Sequence, residues 1–487
     1  MDFNFLDNLI GNIVIHSTFI SLLGLYLITN LQWYSYKFER VLLKHSKPLW
    51  HVTYFGIPVI VAYFANQFFW LFLFLVYLPI MFLWYRKLDK KLVFTPRVKR
   101  FFFILISLSL FQDYLISIQT GREFSYFYPL ILTIIGSFTF EKMVYLSFYF
   151  KAEKKLKDMK NIKVIAITGS YGKTSIKNFL TETLSLKYKV YATPRSVNTV
   201  EGIVRDINEN LKNHIDIYIV EAGAREKGDI LNIAKLVKPH ISIVGKIGLQ
   251  HIEYFKNISN IRDTKMELAQ SERLEKLFLH KSVDLNGFDI SNFKNKIERY
   301  GNDIKDVSAD LSGISFNFKD INYFSPILGA FQSENLEVLI KTAFIFDFSV
   351  DEVQRRLKSL KQVEHRLQKI ETGDKIIIDD SYNGNIDGML DAFKLIETYK
   401  GRKVLVTPGL VESNEELNKQ IAIEADKVFD LIIVTGALNR EIFRKNLNNE
   451  NKIHLFLHEK SLLKNLLSEK TTKGDIILFA NDAPNFI

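Results

Sequence analysis

The 487-residue chain contains no cysteine. That absence excludes a disulfide framework, a cysteine nucleophile, a thiolate zinc site and an iron–sulfur cluster. Histidine is scarce, with 10 residues, so a metal is expected to rest on oxygen ligands. A basic stripe is missing as well. The formal net charge is +10, but residues 1–150 hold 13 Lys+Arg against 7 Asp+Glu, which leaves 51 against 47 for the rest. A remainder so close to neutral reads as an ordinary soluble enzyme, and no nucleic-acid module accompanies it. Disorder is excluded too, since 47% of residues are hydrophobic and only 24% charged. At about 150 residues per domain, the length allows roughly three domains.

What the chain has in excess is aromatic and apolar residues, with Phe 40 and Tyr 21 concentrated towards the N-terminus. Five hydrophobic stretches, approximately 8–32, 52–66, 68–85, 101–118 and 124–146, predict an α-helical transmembrane region of about five spans. The first lacks the basic start and small-residue cleavage site of a signal peptide. The second and third flank Asn66–Gln67, as a hairpin of two spans or one long re-entrant feature. His16 and Asn66 are expected to face other helices. Lys37, Arg40, Lys44 and Lys47 follow the first stretch. Arg86, Lys87, Lys90, Lys91, Arg97, Lys99 and Arg100 follow the third, and Lys151, Lys154, Lys155, Lys157 and Lys160 the fifth. Only Arg122 marks the connection at 119–123. With five spans, the positive-inside rule places the N-terminus outside and everything after residue 150 in the cytoplasm.

The remainder begins with a nucleotide site. Lys163–Thr168 reads as a buried strand and Ser175 onward as a helix, with Gly169-Ser170-Tyr171-Gly172-Lys173-Thr174 between them. This is the strand, glycine loop and helix order of a phosphate-binding loop. The glycines permit tight turns that aim successive N–H groups at phosphate oxygens. Lys173 would reach the terminal phosphates, and the Thr174 hydroxyl would bind magnesium. The spacing is GxxGKT rather than GxxxxGKT. The bland alternative is a glycine turn with an exposed lysine, against which the flanking strand and helix argue. A second strand, 215–220, ends in Glu221, at the usual ligand edge of a parallel sheet. Glu221 could complete the magnesium site; otherwise it is a solvated strand-end acid. A third strand, 241–246, leads to His251 in an equivalent position.

From Gly169 to Lys265 the chain resembles the central ATPase domain of the Mur ligases. The resemblance is carried by TGSYGKTS at 168–175, SVNT at 196–199, VEAGAREKGDI at 220–230, KPHISIVGKIGLQHIEYF at 238–255 and DTKMEL at 263–268. It implies ATP activation of a carboxylate to an acyl phosphate, followed by attack of an amine. Carried over by position, residues 169–175 would hold the nucleotide phosphates, with Lys173 stabilising the transferred phosphoryl charge. Thr174, Glu221 and His251 would hold magnesium ions. Asn198 and Thr199 would contact substrate, and Lys265 stands where relatives carry a carbamylated lysine supporting a second magnesium. In the segment Leu328–Asn335, Gln332 and Asn335 match the adenine-side amides, with Phe331 replacing the usual histidine.

The C-terminal part, with strands expected at 375–378, 403–407, 430–436 and 475–481, reads as a small Rossmann-like sheet. Its Asp379-Asp-Ser-Tyr-Asn-Gly-Asn385 run resembles the DDSYNANP signature of the MurF-type ligases, which add D-alanyl-D-alanine to UDP-N-acetylmuramoyl tripeptide. By that resemblance Arg366 would reach the ATP phosphates on domain closure, and Asp380 would contact the nucleotide. Tyr382, Asn383 and Asn385 would shape the closed cleft. Ile386 departs from the usual proline, and the ending GDIILFANDAPNF departs from the family's usual basic one. The expected fold is therefore α/β: a multi-pass membrane region at 1–157, a central P-loop ATPase domain at 158–361 and a Rossmann-like domain at 362–487. Such ligases use ATP and Mg2+. Expected partners are the UDP tripeptide, D-alanyl-D-alanine, the lipid bilayer and membrane-bound enzymes of the next step. The usual soluble domain that grips the UDP end has no counterpart in the spans. Two alternatives stay open: a membrane-associated poly-γ-glutamate synthase, or a non-catalytic membrane scaffold with a degenerate ligase domain.

Overall fold

The computed structural model describes residues 3–481 apart from 35, 44, 66–67, 119–126, 249–251, 383 and 412. Lys44, Asn66, Gln67, Arg122, His251, Asn383 and the chain beyond Asn481 lie outside the described residues. Two compact units form, Met1–Ser147 and Phe148–Ile487.

The first unit is helical. Among the described residues, three helices are long and apolar enough to cross a membrane: Ile10–Trp33, Phe69–Arg86 and Tyr128–Asp158. Against the expected count of about five, these three meet both criteria. The helix over Leu49–Phe64 is about 24 Å long at a rise of about 1.5 Å per residue, short of a hydrocarbon core of about 30 Å. The helix Pro96–Ile118 carries Arg97, Lys99, Arg100 and Asp113, which interrupt its apolar character. It nevertheless packs antiparallel to Ile10–Trp33 along its length. Near one end Gln32 Nε2 donates to the carbonyl of Val93, 2.9 Å, and Arg97 stacks on Tyr36, 3.6 Å from the ring centre. At mid-helix Gly24 leaves room for Leu105 and Phe101; a Cβ there would sit 2.5 Å from Leu105 Cδ2. At the far end buried His16 meets Asp113, 2.7 Å, as expected of a polar residue facing another helix.

The second unit holds two parallel sheets and a small antiparallel one. The central strands are β1 (Lys163–Thr168), β2 (Val190–Ala192), β3 (Ile217–Glu221), β4 (Ile241–Val244), β5 (Lys276–His280) and β6 (Ile297–Tyr300), in the order β2-β3-β1-β4-β5-β6. β1 pairs with β3 on one side and β4 on the other, so its C-terminal end lies at the point where strand order reverses. The apolar runs of β1 and β3 are almost wholly buried, as strands covered on both faces require. Helices Lys173–Leu184 and Gln332–Ile345 pack together over this sheet through Ile176, Leu180, Leu336 and Leu339, all fully buried. Each such side chain contributes about 1.5–3 kcal/mol. The apolar runs at 313–325 form β8 (Gly313–Phe318) and β9 (Ile321–Ser325), which with β7 (Ile304–Asp310) make the antiparallel sheet.

The C-terminal strands are β10 (Gln368–Glu371), β11 (Ile376–Asp380), β12 (Lys403–Thr407), β13 (Leu431–Val434), β14 (Ile453–Phe456) and β15 (Ile476–Ala480), ordered β10-β11-β15-β12-β13-β14. All pairings are parallel except that of the edge strand β10 with β11. The four expected C-terminal strands are found, and two edge strands add to them.

Candidate active site

The glycine loop leaves β1 and enters the helix Lys173–Leu184. Gly169 (φ 148°) and Gly172 (φ 83°) both adopt backbone that side chains resist. A Cβ on Gly169 would lie 2.9 Å from Gly245, and one on Gly172 2.8 Å from Asn335 Oδ1. The exit of β4 pins the loop: the N–H groups of Ser170 and Tyr171 donate to the Lys246 carbonyl, 2.9 and 3.3 Å. The Ser170 hydroxyl donates to the Gly248 carbonyl, 3.1 Å, and accepts from the Gly248 N–H. Ser175 is buried in the first helical turn. Asn335 donates to Gln332 Oε1, 2.8 Å, and both amides are buried against the loop.

Lys173 folds over this loop, its Nζ donating to the carbonyls of Gly169, 2.8 Å, and Ser170, 3.0 Å. Burial pulls its pKa down to about 8; Glu221 opposes the shift and Arg366 adds to it. Thr174, expected from the loop motif, and Glu221, expected from its strand-end position, meet: the hydroxyl donates to Glu221 Oε2 at 3.0 Å. Burial raises the Glu221 carboxyl, but Lys177 and Lys173 outweigh it and hold the net pKa below the ordinary value. Lys177 was not read from the sequence. It lies 3.2 Å from Glu221 and donates to the Thr193 carbonyl, 2.9 Å, while Thr193 Oγ1 accepts from the Glu221 N–H. Its place one helical turn after Lys173 was the available signal.

A hydroxyl and a carboxylate oxygen suit a hard cation such as magnesium. No cluster of three His, Asp or Glu side chains forms among the described residues, so phosphate oxygens and water would supply the other ligands. Lys265 is buried, and desolvation, reinforced by Lys173, pulls its pKa down to about 7 against Asp229 and Glu267.

Around the edge of the site, Asn198 holds the Gly223 N–H with its carbonyl, 2.8 Å, and Thr199 caps the helix Val200–Glu209 by accepting from Gly202. Asn385 caps the helix Ile386–Glu397 in the same way. Arg366 donates to the Tyr382 carbonyl. Burial lowers its pKa, while Asp380 and Glu221 support its charge and Arg195 opposes it. Asp380 Oδ1 accepts from the Leu367 N–H, 3.1 Å. Contacts join the sheets across the cleft, among them Lys246 to Asp387, 2.7 Å, and Arg195 over the Tyr382 ring, 4.8 Å. Neither was visible in the sequence, where the partners lie more than a hundred residues apart.

The loop, the Thr174–Glu221 pair and the facing arginine converge on one site. The family model of the Mur ligase middle domain matches residues 167–343. Over those residues the fold and the loop site are similar to a Mur ligase middle domain. Among curated relatives, the UDP-N-acetylmuramoyl-tripeptide--D-alanyl-D-alanine ligase of Bacillus subtilis (strain 168) is 27% identical over 335 residues, covering 65% of this chain and 72% of its own. Among solved structures, MurF from Acinetobacter baumannii superposes with a TM-score of 0.61 at 21% identity, covering 69% of this chain and 77% of its own. MurF ligase from Thermotoga maritima in complex with ADP gives 0.60 at 23% identity, with 69% and 80% covered.

Proposed function

We propose that this chain is an ATP-dependent ligase that joins D-alanyl-D-alanine to UDP-N-acetylmuramoyl tripeptide through an acyl phosphate, in peptidoglycan precursor synthesis. The observation that carries the reading is Thr174 set 3.0 Å from Glu221 beneath a glycine loop whose Lys173 shares its surroundings with Arg366. The relatives at 27% identity support the substrate pair.

In the proposed mechanism ATP is a substrate. The tripeptide carboxylate attacks the γ-phosphorus, ADP leaves, and the amine nitrogen then attacks the acyl carbon as inorganic phosphate departs. Lys173 moves from the loop carbonyls to the transferring phosphoryl group and offsets its charge. Arg366 approaches from the other sheet, and loop N–H groups orient the phosphates. Thr174 and Glu221, with His251, would hold magnesium, which supplies charge neutralisation on the phosphates when bound. Lys265, with its pKa near 7, presents a neutral amine able to add carbon dioxide, which supports carbamylation there. Asn198, Thr199, Tyr382, Asn383 and Asn385 would border the reacting carboxylate and amine.

We also infer a cytoplasmic-membrane location with five crossings and the N-terminus outside. Three crossings would separate the basic loops at 34–48 and 87–100. Yet the Gln32–Val93 and Arg97–Tyr36 contacts hold them at one end of the helical unit. Five crossings keep both on the cytoplasmic side, with Pro96–Ile118 returning beside Ile10–Trp33 and His16 compensating Asp113.

The test is ADP release by the detergent-purified full chain. The UDP tripeptide with D-alanyl-D-alanine should support turnover and glutamate alone should not; the reverse would replace the reading with a polyglutamate-type ligase.

A further inference from the structure

Arg366 sits between two residues with left-handed backbone, His365 (φ 59°) and Leu367 (φ 52°). A left-handed leucine is a strained choice, and two such residues around one arginine persist only where the surroundings impose them. Both are held by the paired aspartates that end β11. The fully buried Asp379 bonds the His365 ring, Oδ2 to Nδ1 at 2.7 Å. Its other oxygen accepts from the Ser381 hydroxyl, 2.6 Å, and N–H, 3.1 Å. Asp380 accepts from the Leu367 N–H, and the Leu367 side chain is fully buried in the C-terminal core. The loop that follows the aspartates closes the frame, the Tyr382 N–H meeting the His365 carbonyl at 3.4 Å and the Tyr382 carbonyl accepting from Arg366.

We propose that His365, fixed by Asp379, is a positioning residue: the pair forces the left-handed turn that aims the Arg366 guanidinium at the nucleotide phosphates. His365 itself touches no reacting atom in this scheme. The inference rests on the proposed nucleotide role of Arg366 and deepens it, giving the first aspartate of the DDSYNGN run a function distinct from that of the second.

A double-mutant cycle on the full chain in detergent tests this, read by affinity for ATP with magnesium and by kcat for ligation. His365→Ala should weaken ATP binding and lower kcat about tenfold each, and so should Arg366→Ala, while the double variant is no worse than Arg366→Ala alone. His365→Asn, whose side chain tolerates left-handed backbone and carries a hydrogen-bond donor, should recover part of the loss. Additive losses in the cycle, or no loss on His365→Ala, overturn the proposal. Asp379→Asn, which keeps the shape, should give the same non-additivity, and additivity there overturns it equally. Parent protein that binds ATP yet ligates neither substrate pair overturns the ligase reading alone, because the binding cycle still reports on His365.

Discussion

The two parallel sheets of the second unit meet a similar need by opposite means. At the end of β1, unusual backbone is allowed by glycine: Gly169 and Gly172 turn where no side chain fits. Around Arg366, unusual backbone is enforced on His365 and Leu367 by carboxylates and burial. Glycine suits a loop whose N–H groups must approach phosphate closely. An enforced turn suits a charged side chain that must point one way. The first device leaves a sequence motif; the second leaves only its aspartates.

The largest expected effect is at the glycine side. Lys173→Ala should cut turnover by about 10²–10³-fold or more with the fold intact, since it removes charge at the transferring phosphoryl group; steady-state kinetics with a thermal melt checks both halves. Next, Gly172→Ala should cost about 1–2 kcal/mol from left-handed strain, beyond its clash with Asn335. His365→Gly should be more stable than His365→Ala by about 1 kcal/mol, the left-handed strain that glycine escapes, since both variants lose the ring's bond to buried Asp379. Equal stability of these two variants would erase the contrast.

A smaller effect concerns pH. Lys265 has its pKa pulled from 10.5 to about 7, so between those values the unfolded chain binds the proton and the folded chain does not. Stability therefore rises with pH across about 7 to 10.5, and the burial cost is fully present below 7. In carbon-dioxide-free buffer, Lys265→Met should flatten that rise in melting temperature. The smallest effect is at the cleft. Lys246→Ala removes a partly exposed bridge to Asp387 worth about 0–1 kcal/mol and screened by salt, so kcat should shift less than at His365 and less again in high salt.

Local chemistry decided what the sequence made legible. GSYGKT is contiguous, and Glu221 announced itself as the acid ending an apolar strand, so the Thr174–Glu221 pair was readable across 47 residues. The His365–Asp379 pair and the Lys246–Asp387 bridge were not, because each acquires meaning only when strand ends converge; Lys177 was signalled only by its place one turn after Lys173. The edge strands β10 and β14 are partly exposed, so their hydrophobic signal is weak. In the first unit, hydropathy marked five stretches, whereas helix length and the charges on Pro96–Ile118 separate three helices long and apolar enough to cross a membrane from two that are not. The Gly24 notch and the His16–Asp113 pair show what that neighbour supplies.

The most direct measurement follows the oxygen. With 18O in the terminal carboxylate of the UDP tripeptide, D-alanyl-D-alanine and ATP, mass spectrometry of the products reads the route. Attack of the carboxylate on the γ-phosphorus moves a labelled oxygen into inorganic phosphate for each amide formed, and that is the predicted result. Amide formed with unlabelled phosphate would contradict an acyl phosphate, and with it the roles given to Lys173, Thr174, Glu221 and Arg366.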